Sequence, residues 1–339
     1  MSLLGDYDEA VRLILSTGGT VSVQGARGVG KTRLCRRLVE AAEERGITPA
    51  FVDAELARGI VGPPGAVSMV VVRQPEDMDR QRPDHCLFVG DVIPAGHVAG
   101  YIFGIISVVA EAKRQGAGLI VIDSCGWLDY PGVVLAKQNE IEMTAPDYVI
   151  ALQRSHEAEF IITPFIKRTD IICAVRQADG ASSYVPSIAR ANFRADMQRF
   201  LEGSQIHTIP FSQVTFTNTW LGCGRELKWQ YKKAISQILS SPVYHGEQLG
   251  KTAYLLAGGT CSEQQEKEIA SILKVSRVRL QDPGFFENLY AGLEDSECRF
   301  VSAGIIKNID FDKRQIIIDT PALTASPVRG VRFGFLQYP

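Results

Sequence analysis

The chain has 339 residues, 45% of them hydrophobic and 22% charged, with a formal net charge of −2. That is long for one compact domain, comfortable for two, and rich enough in apolar residues to build a core without staples. The near-neutral balance excludes a protein that holds nucleic acid by bulk charge, so any such contact must come from local basic patches.

The first residues, Met1 to Glu9, carry acids where a signal peptide needs a basic and then an apolar region. Thr20 to Gln24 is a β-branched run ending at a glycine. Thr32 to Ala42 has helical spacing, with Leu34, Leu38 and Ala41 on one side. Ala50-Phe51-Val52 predicts a strand ending in Asp53, and Val67 to Val72 and Cys86 to Val89 predict two more. His97 to Lys113 predicts a helix; its apolar stretch, Tyr101 to Ala110, is too short to span a bilayer. Gly118 to Ile122 and Asp147 to Leu152 are continuous apolar runs. Such strands alternating with helices predict an α/β domain, its mostly parallel sheet flanked by helices on both faces. Ser187 to Leu201 predicts an amphipathic helix carrying Arg190, Arg194 and Arg199. From about Pro242 the pattern changes to short strands and turns, with a hairpin around Asp310 to Lys313. The predicted domains are therefore 1–242 and a small, mainly β domain over 243–339.

The seven cysteines are scattered and contain no C-x-x-C pair, and the five histidines are dispersed. Neither a disulfide framework nor a zinc site is expected, and a reducing cytoplasm fits.

Gly25-Ala26-Arg27-Gly28-Val29-Gly30-Lys31-Thr32 matches G-x-x-x-x-G-K-T, with a strand before it and a helix after. Glycines let backbone N–H groups turn inward around phosphate oxygens, and the helix presents its positive end to the same anion. Lys31 is expected to reach the β- and γ-phosphates of a nucleoside triphosphate as an exposed loop residue, and Thr32 to ligate magnesium. Gly250-Lys251-Thr252 repeats three letters of the motif but opens an apolar run of strand type, and reads as a turn. Asp53 and Glu55 follow a strand end, where parallel sheets line their ligand crevice. Two residues apart in extended chain, they project the same way. Asp123 ends another strand and is placed as a second magnesium-directed acid. A helix N-cap or an exposed loop charge is the alternative for Asp53 and Glu55, and a cap is the alternative for Asp123.

The ordered set of motifs resembles the polynucleotide 5′-hydroxyl kinases related to RNA kinases of pre-tRNA splicing, mRNA cleavage and polyadenylation, and rRNA processing. Asp53-Ala54-Glu55-Leu56-Ala57-Arg58 stands where that family has D-x-D-x-G-Q, and Pro64-Gly65 follows as its P-G. Phe88 to Pro94, Asp123-Ser124-Cys125-Gly126-Trp127 and Pro146 to Leu152 resemble its F-x-G-x-x-x-P, D-T-x-G-W and P-D-x-V-x-x-L segments. Pro186 to Arg194, continued by Arg199-Phe200-Leu201, resembles its arginine-bearing lid, about 186–202. Leu289 to Leu293, Gly304 to Ile306 and Asp319 to Pro321 resemble its β-rich C-terminal domain. The departures are Glu55 for the second Asp, and Ala57 and Arg58 for the Gly-Gln pair. Arg58 is then free to meet a nucleic-acid phosphate.

The resemblance implies a kinase that moves the γ-phosphate of ATP or another triphosphate to the 5′-hydroxyl of single-stranded or end-exposed RNA or DNA. It implies Asp53 as general base, Thr32 and Glu55 on magnesium, and Lys31, Arg190 and Arg194 neutralising charge in the transition state. Trp127 packs near the phosphates, stacks a base, or is an ordinary core residue. Arg225, Lys228, Lys232 and Lys233, with Trp229 and Tyr231 among them, make either a nucleic-acid contact or a solvated helix face. The other functional class open to the chain is an ATP-binding scaffold of an RNA-processing complex that turns nothing over. Retention of Asp53, Arg190 and Arg194 argues for the enzyme.

Overall fold

The computed structural model describes residues 3–4, 7–80, 82–178, 186–321 and 327–338. The chain divides into two compact units, Met1–Glu202 and Gly203–Pro339.

In the first unit the elements are β1 (Leu3–Leu4), α1 (Tyr7–Thr17), β2 (Gly19–Gly25), α2 (Lys31–Glu43), β3 (Pro49–Asp53), β4 (Ala66–Val71), β5 (His85–Phe88), α3 (Val98–Arg114), β6 (Leu119–Asp123), α4 (Val133–Thr144), β7 (Tyr148–Gln153), α5 (Glu159–Ile162), β8 (Ile172–Gln177) and α6 (Pro186–Phe200). The strands form one sheet in the order β1-β8-β7-β2-β6-β3-β4-β5. It is parallel from β1 through β3; β4 and β5 run antiparallel at one side. The all-apolar centre of β6 is buried on both faces, as a central parallel strand requires. Leu34, Cys35, Leu38 and Val39 pack α2 onto one face with Val21, Val23, Val121 and Ile150. Ile102, Ile105, Val108 and Val109 pack α3 onto the other with Val52, Val67, Ile120 and Ile122.

β2 lies between β6 and β7. The chain leaves β2 through α2, passes beyond β6 to β3, and later returns to β7 on the opposite side. The carboxyl ends of β2, β3 and β6 therefore open on one crevice, where a sheet of this type binds its ligand.

The second unit comprises β9 (Gln205–Pro210), β10 (Thr215–Thr217), β11 (Arg225–Glu226), α7 (Trp229–Leu239), β12 (Val243–Leu249), β13 (Thr252–Ala257), α8 (Glu263–Leu273), β14 (Arg277–Gln281), β15 (Leu289–Glu294), β16 (Phe300–Asp310), β17 (Gln315–Thr320) and β18 (Gly330–Gln337). They form a sheet ordered β10-β18-β15-β16-β17-β9 and a second ordered β11-β12-β13-β14. β16 and β17 are the expected hairpin. Gly250 sits in the turn between β12 and β13, so Gly250-Lys251-Thr252 is a connection and not a second phosphate loop.

The expected boundary near Val243 is corrected to the junction of Glu202 and Gly203. β9 pairs along its length with β17, and β10 with β18. Residues 205–217 thus supply two strands to the six-stranded sheet through pairings about a hundred residues away, which local composition does not reveal. Helix α8 also departs from the expected strands and turns. Its signature is local: Ser262 Oγ accepts from Gln265 N at 3.3 Å while Gln265 Oε1 accepts from Ser262 N at 2.9 Å, a capping box.

Candidate active site

The loop from Gly25 to Thr32 is fixed by two backbone demands. Gly25 has φ +137°, and a Cβ there would lie 2.2 Å from the carbonyl oxygen of Leu152. Gly30 has φ +95° and caps α2. Val29 is buried in the core beside α2 and ties the loop down between them. Ala26 packs against that core, and Gly28 also takes a positive φ.

Lys31 departs from expectation: it is only 6% exposed. Its Nζ donates to the Ala26 carbonyl at 3.2 Å and lies against Gly126, where an added Cβ would come within 2.4 Å of it. An ammonium is tolerated there because acids face it. Its charge is felt by both Glu55 and Asp123. Thr32 Oγ1 donates to Asp123 Oδ2 at 2.5 Å.

Asp53 and Asp123 are register partners on β3 and β6. Asp53 Oδ2 accepts from Ile60 N and Val61 N at 3.0 and 3.1 Å, and Oδ1 accepts from Glu55 N at 3.2 Å. A carboxylate offers about four acceptor positions, so Oδ1 keeps one in reserve. Burial, then the neighbouring Asp123 charge, raises the Asp53 carboxyl to about 8. Burial also raises Asp123, against the opposing Lys31 charge and Thr32 hydrogen bond. Glu55 goes the other way. Burial pushes it up, but the Lys31 and Arg27 charges and the Gly126 N–H, 2.8 Å from Oε2, outweigh burial and hold it below the usual range.

Arg27 reaches Glu55 Oε1 at 3.4 Å, and its guanidinium lies 4.5 Å over the Trp127 ring. Trp127 is half-buried, packs against the core under α3, and donates from Nε1 to the Asp129 carbonyl at 2.9 Å. It carries the arginine that faces Glu55 and is also a core residue. Arg58 is exposed at this rim, and its charge reaches Asp123.

Arg194 is exposed on α6; the side chain of Arg190 lies outside the described residues. The resemblance did not single out Asp196. Arg199 Nη2 donates to the Gly59 carbonyl at 2.6 Å and pairs with Asp196 Oδ1 at 3.2 Å, while Gly59 N donates to Asp196 Oδ2 at 3.5 Å. The C-terminal half of α6 is thereby latched to the residue preceding Ile60 and Val61, whose amides hold Asp53.

The oxygen donors at the strand ends suit a magnesium ion. Asp123 Oδ1 is buried and has no hydrogen-bond partner among the described residues. An orphaned carboxylate oxygen with a threonine hydroxyl on its other oxygen is the oxygen chemistry a hard divalent cation takes. Among the described residues no group of three or more His, Cys, Asp or Glu side chains could by itself hold a metal ion. Magnesium at a triphosphate does not need one, since it keeps several waters and shares phosphate oxygens. The residues fit.

The family model described as mRNA cleavage and polyadenylation factor CLP1 P-loop matches residues 25–203. The chain is 26% identical over 335 residues to a polyribonucleotide 5′-hydroxyl-kinase of Pyrococcus furiosus, covering 98% of this chain and 92% of that protein. It is 24% identical over 346 residues to a polyribonucleotide 5′-hydroxyl-kinase of Methanocaldococcus jannaschii, covering 99% and 90%. The solved structure of a wild-type Clp1p–Pcf11p complex shares the fold, with a TM-score of 0.61 and 12% identity, over 97% of this chain and 77% of that one. No described helix is long and apolar enough to cross a membrane.

Proposed function

The chain belongs to the mRNA cleavage and polyadenylation factor CLP1 P-loop family, and from that premise we propose that it is a polynucleotide 5′-hydroxyl kinase acting on RNA ends. The names of its archaeal relatives support RNA as the acceptor. The observation that carries the reading is the convergence of Lys31, Thr32, Asp53, Glu55 and Asp123 at the carboxyl ends of three strands.

The 5′-hydroxyl oxygen attacks the γ-phosphorus, the bond from that phosphorus to the β–γ bridging oxygen breaks, and a nucleoside diphosphate leaves. Asp53 takes the hydroxyl proton on its reserved Oδ1 position; a carboxyl raised to about 8 is well matched to that proton. Lys31, Arg190 and Arg194 neutralise charge on the transferring group, since phosphoryl transfer is mostly positioning and electrostatics. Thr32 and Asp123 would hold magnesium, with Glu55 kept ionised beside them to serve it; the ion supplies charge neutralisation at the phosphates. Gly25 to Thr32 cradle the triphosphate, and Trp127 and Arg27 wall the cup above Glu55.

In the second unit, Arg225, Lys228, Trp229, Tyr231 and Lys233 are all exposed, Trp229 by 64%. Interleaved cations and bare aromatic rings suit the backbone and bases of single-stranded RNA, and we assign that role to this face.

The test is incubation with labelled ATP and oligoribonucleotides bearing either a 5′-hydroxyl or a 5′-phosphate. Only the first should be labelled. Nucleotide binding without labelling of RNA or DNA at any salt, with any triphosphate, would instead establish the scaffold reading.

A further inference from the structure

Helix α4 buries two charges while leaving apolar side chains outside. Lys137 and Glu140 are 1% and 2% exposed, whereas Val134, Leu135 and Met143 are 48%, 63% and 58% exposed. Ala136 and Ile141 also face inward, at 7% and 0% exposure, but three other apolar side chains stay outside while a lysine and a glutamate share the buried face. Taking an ion pair out of water is costly and seldom the most stable way to fill a core.

The pair does not stand alone. Lys137 Nζ donates to Glu140 Oε2 at 2.9 Å and to Ser124 Oγ at 2.6 Å. Ser124 Oγ lies 2.6 Å from Glu140 Oε1 and 3.0 Å from Gln24 Oε1. Gln24 Nε2 donates to Glu140 Oε1 at 2.8 Å and to Ser22 Oγ at 2.9 Å. Every member is buried. Gln24 is the residue before Gly25, where the phosphate loop begins, and Ser124 is the residue after Asp123. The network thus grips the two strand ends from which the loop and the Thr32-bound carboxylate are hung. The next links run outward: Cys125 N donates to Tyr101 Oη at 3.0 Å and Gly126 N to Glu55 Oε2 at 2.8 Å. From Asp123 to Gly126, each residue has its own fixed partner.

We infer that Lys137 and Glu140 are positioning residues for phosphoryl transfer, setting through Gln24 and Ser124 the relative placement of the phosphate loop and Asp123. The inference rests on the kinase reading for its rate effect, and on nucleotide binding alone for its second readout.

The deciding variant replaces both charges at once, Lys137→Met with Glu140→Leu. Gln24, Ser22 and Ser124 can still bond to one another, so each of these side chains keeps a partner. A merely structural pair replaced by apolar residues of similar volume leaves stability unchanged or higher. The positioning role predicts that the double variant melts at or above the wild-type temperature, yet turns over roughly ten- to a hundredfold more slowly, the scale expected when reacting groups shift by up to about 1 Å. KM for the oligoribonucleotide should stay unchanged. Calorimetry with a non-hydrolysable ATP analogue should show the magnesium-dependent part of its affinity weakened by about tenfold, a 1.4 kcal/mol equivalent. A folded double variant with wild-type turnover and wild-type analogue affinity overturns the inference. If the double variant does not fold, Ser124→Ala removes the hydroxyl that joins Lys137 to Gln24 and leaves the ion pair whole. It should shift both readouts in the same direction, and wild-type values for both would equally overturn the inference. If the wild-type protein transfers no phosphate, the kinase reading fails, and the calorimetric comparison still decides the positioning role.

Discussion

Asp53 and Asp123 stand opposite one another at the ends of neighbouring parallel strands, and the charge on one raises the carboxyl of the other. Two buried acids this close cannot both ionise freely. Burial raises Asp123 against the opposing Lys31 charge and Thr32 hydroxyl, and Asp53, which has no such cation among its causes, is moved from the ordinary 3.8 to about 8, by burial first and by Asp123 second.

That shift fixes a pH dependence with a definite sign. Between about pH 3.8 and about 8, folded nucleotide-free protein keeps a proton on Asp53 that the unfolded chain releases, so this contribution to stability is complete at low pH and is lost as pH rises through that window. Melting temperature should show a component that falls between about pH 4 and about pH 8, and Asp53→Asn should remove it. The kinetics move oppositely. A base must lose its proton before it can accept one, so kcat/KM should climb to about pH 8 on an acidic limb set by free Asp53. Asp53→Asn should flatten that limb and slow turnover by roughly 10²–10⁴-fold while nucleotide still binds. Near-normal turnover in Asp53→Asn would remove Asp53 from the role of base and leave Asp123 as the next candidate.

Lys31 and Gly126 make a paired prediction. Lys31→Ala should abolish transfer. Because Lys31 is buried among acids, the variant should also show a changed melting temperature, unlike an exposed loop lysine. Gly126→Ala probes the space alone, since the added Cβ would lie 2.4 Å from Lys31 Nζ and 3.0 Å from Arg27 N. It should weaken triphosphate binding with the fold intact. Unaltered nucleotide affinity in Gly126→Ala would show that Lys31 is not confined by this wall.

Helix α6 separates two expected roles, chemistry and attachment. Arg194 is exposed, so Arg194→Ala should change stability by no more than about 0.5 kcal/mol. It should nevertheless slow transfer at every pH by about 2–4 kcal/mol in barrier, without reshaping the profile. Arg199→Ala instead breaks the latch on Gly59 and should loosen the segment whose amides hold Asp53. Its signature is a displaced acidic limb, detected by comparing pH–rate curves of the two variants. Identical curves would assign both arginines the same role.

Much of this was legible in the chain itself. A glycine-rich motif between a strand and a helix admits few conformations, and acids ending apolar runs fall at strand ends whatever the rest of the sheet does. Helix α8 was missed although its capping box is local; the other parts that were not legible share a cause, since they depend on long-range contacts. Nothing in the local sequence marks Lys137 and Glu140 as buried; only the fold of α4 brings them to Gln24 and Ser124. β9 joins its sheet only through β17, which moves the domain boundary back to Gly203. Lys31 looks exposed in a loop until Gly126 closes over it.

The face around α7 carries the last prediction. Lys228 is the N-cap of α7, and no acid lies in its first turn. Lys232 follows one turn on, tied to Glu226 at 3.8 Å, and Lys233 stands with its Nζ 5.7 Å over the Trp229 ring. Cations gathered at the positive end of a helix dipole repel it, and an arriving polyanion relieves that repulsion. Trp229, at 64% exposure, offers an open face for a base. A long oligoribonucleotide should therefore quench the fluorescence of the wild-type protein more than that of Trp229→Ala. With Lys228→Glu and Lys233→Glu, affinity for that oligonucleotide should fall, and the slope of log affinity against log salt should flatten by about 0.7 for each phosphate no longer neutralised. Because these residues form no part of the phosphate loop or of the strand-end acids, turnover on the shortest accepted 5′-hydroxyl substrate should not change. An unchanged salt slope in the double charge reversal would make this face an ordinary solvated helix, and the RNA would have to be held by the first unit.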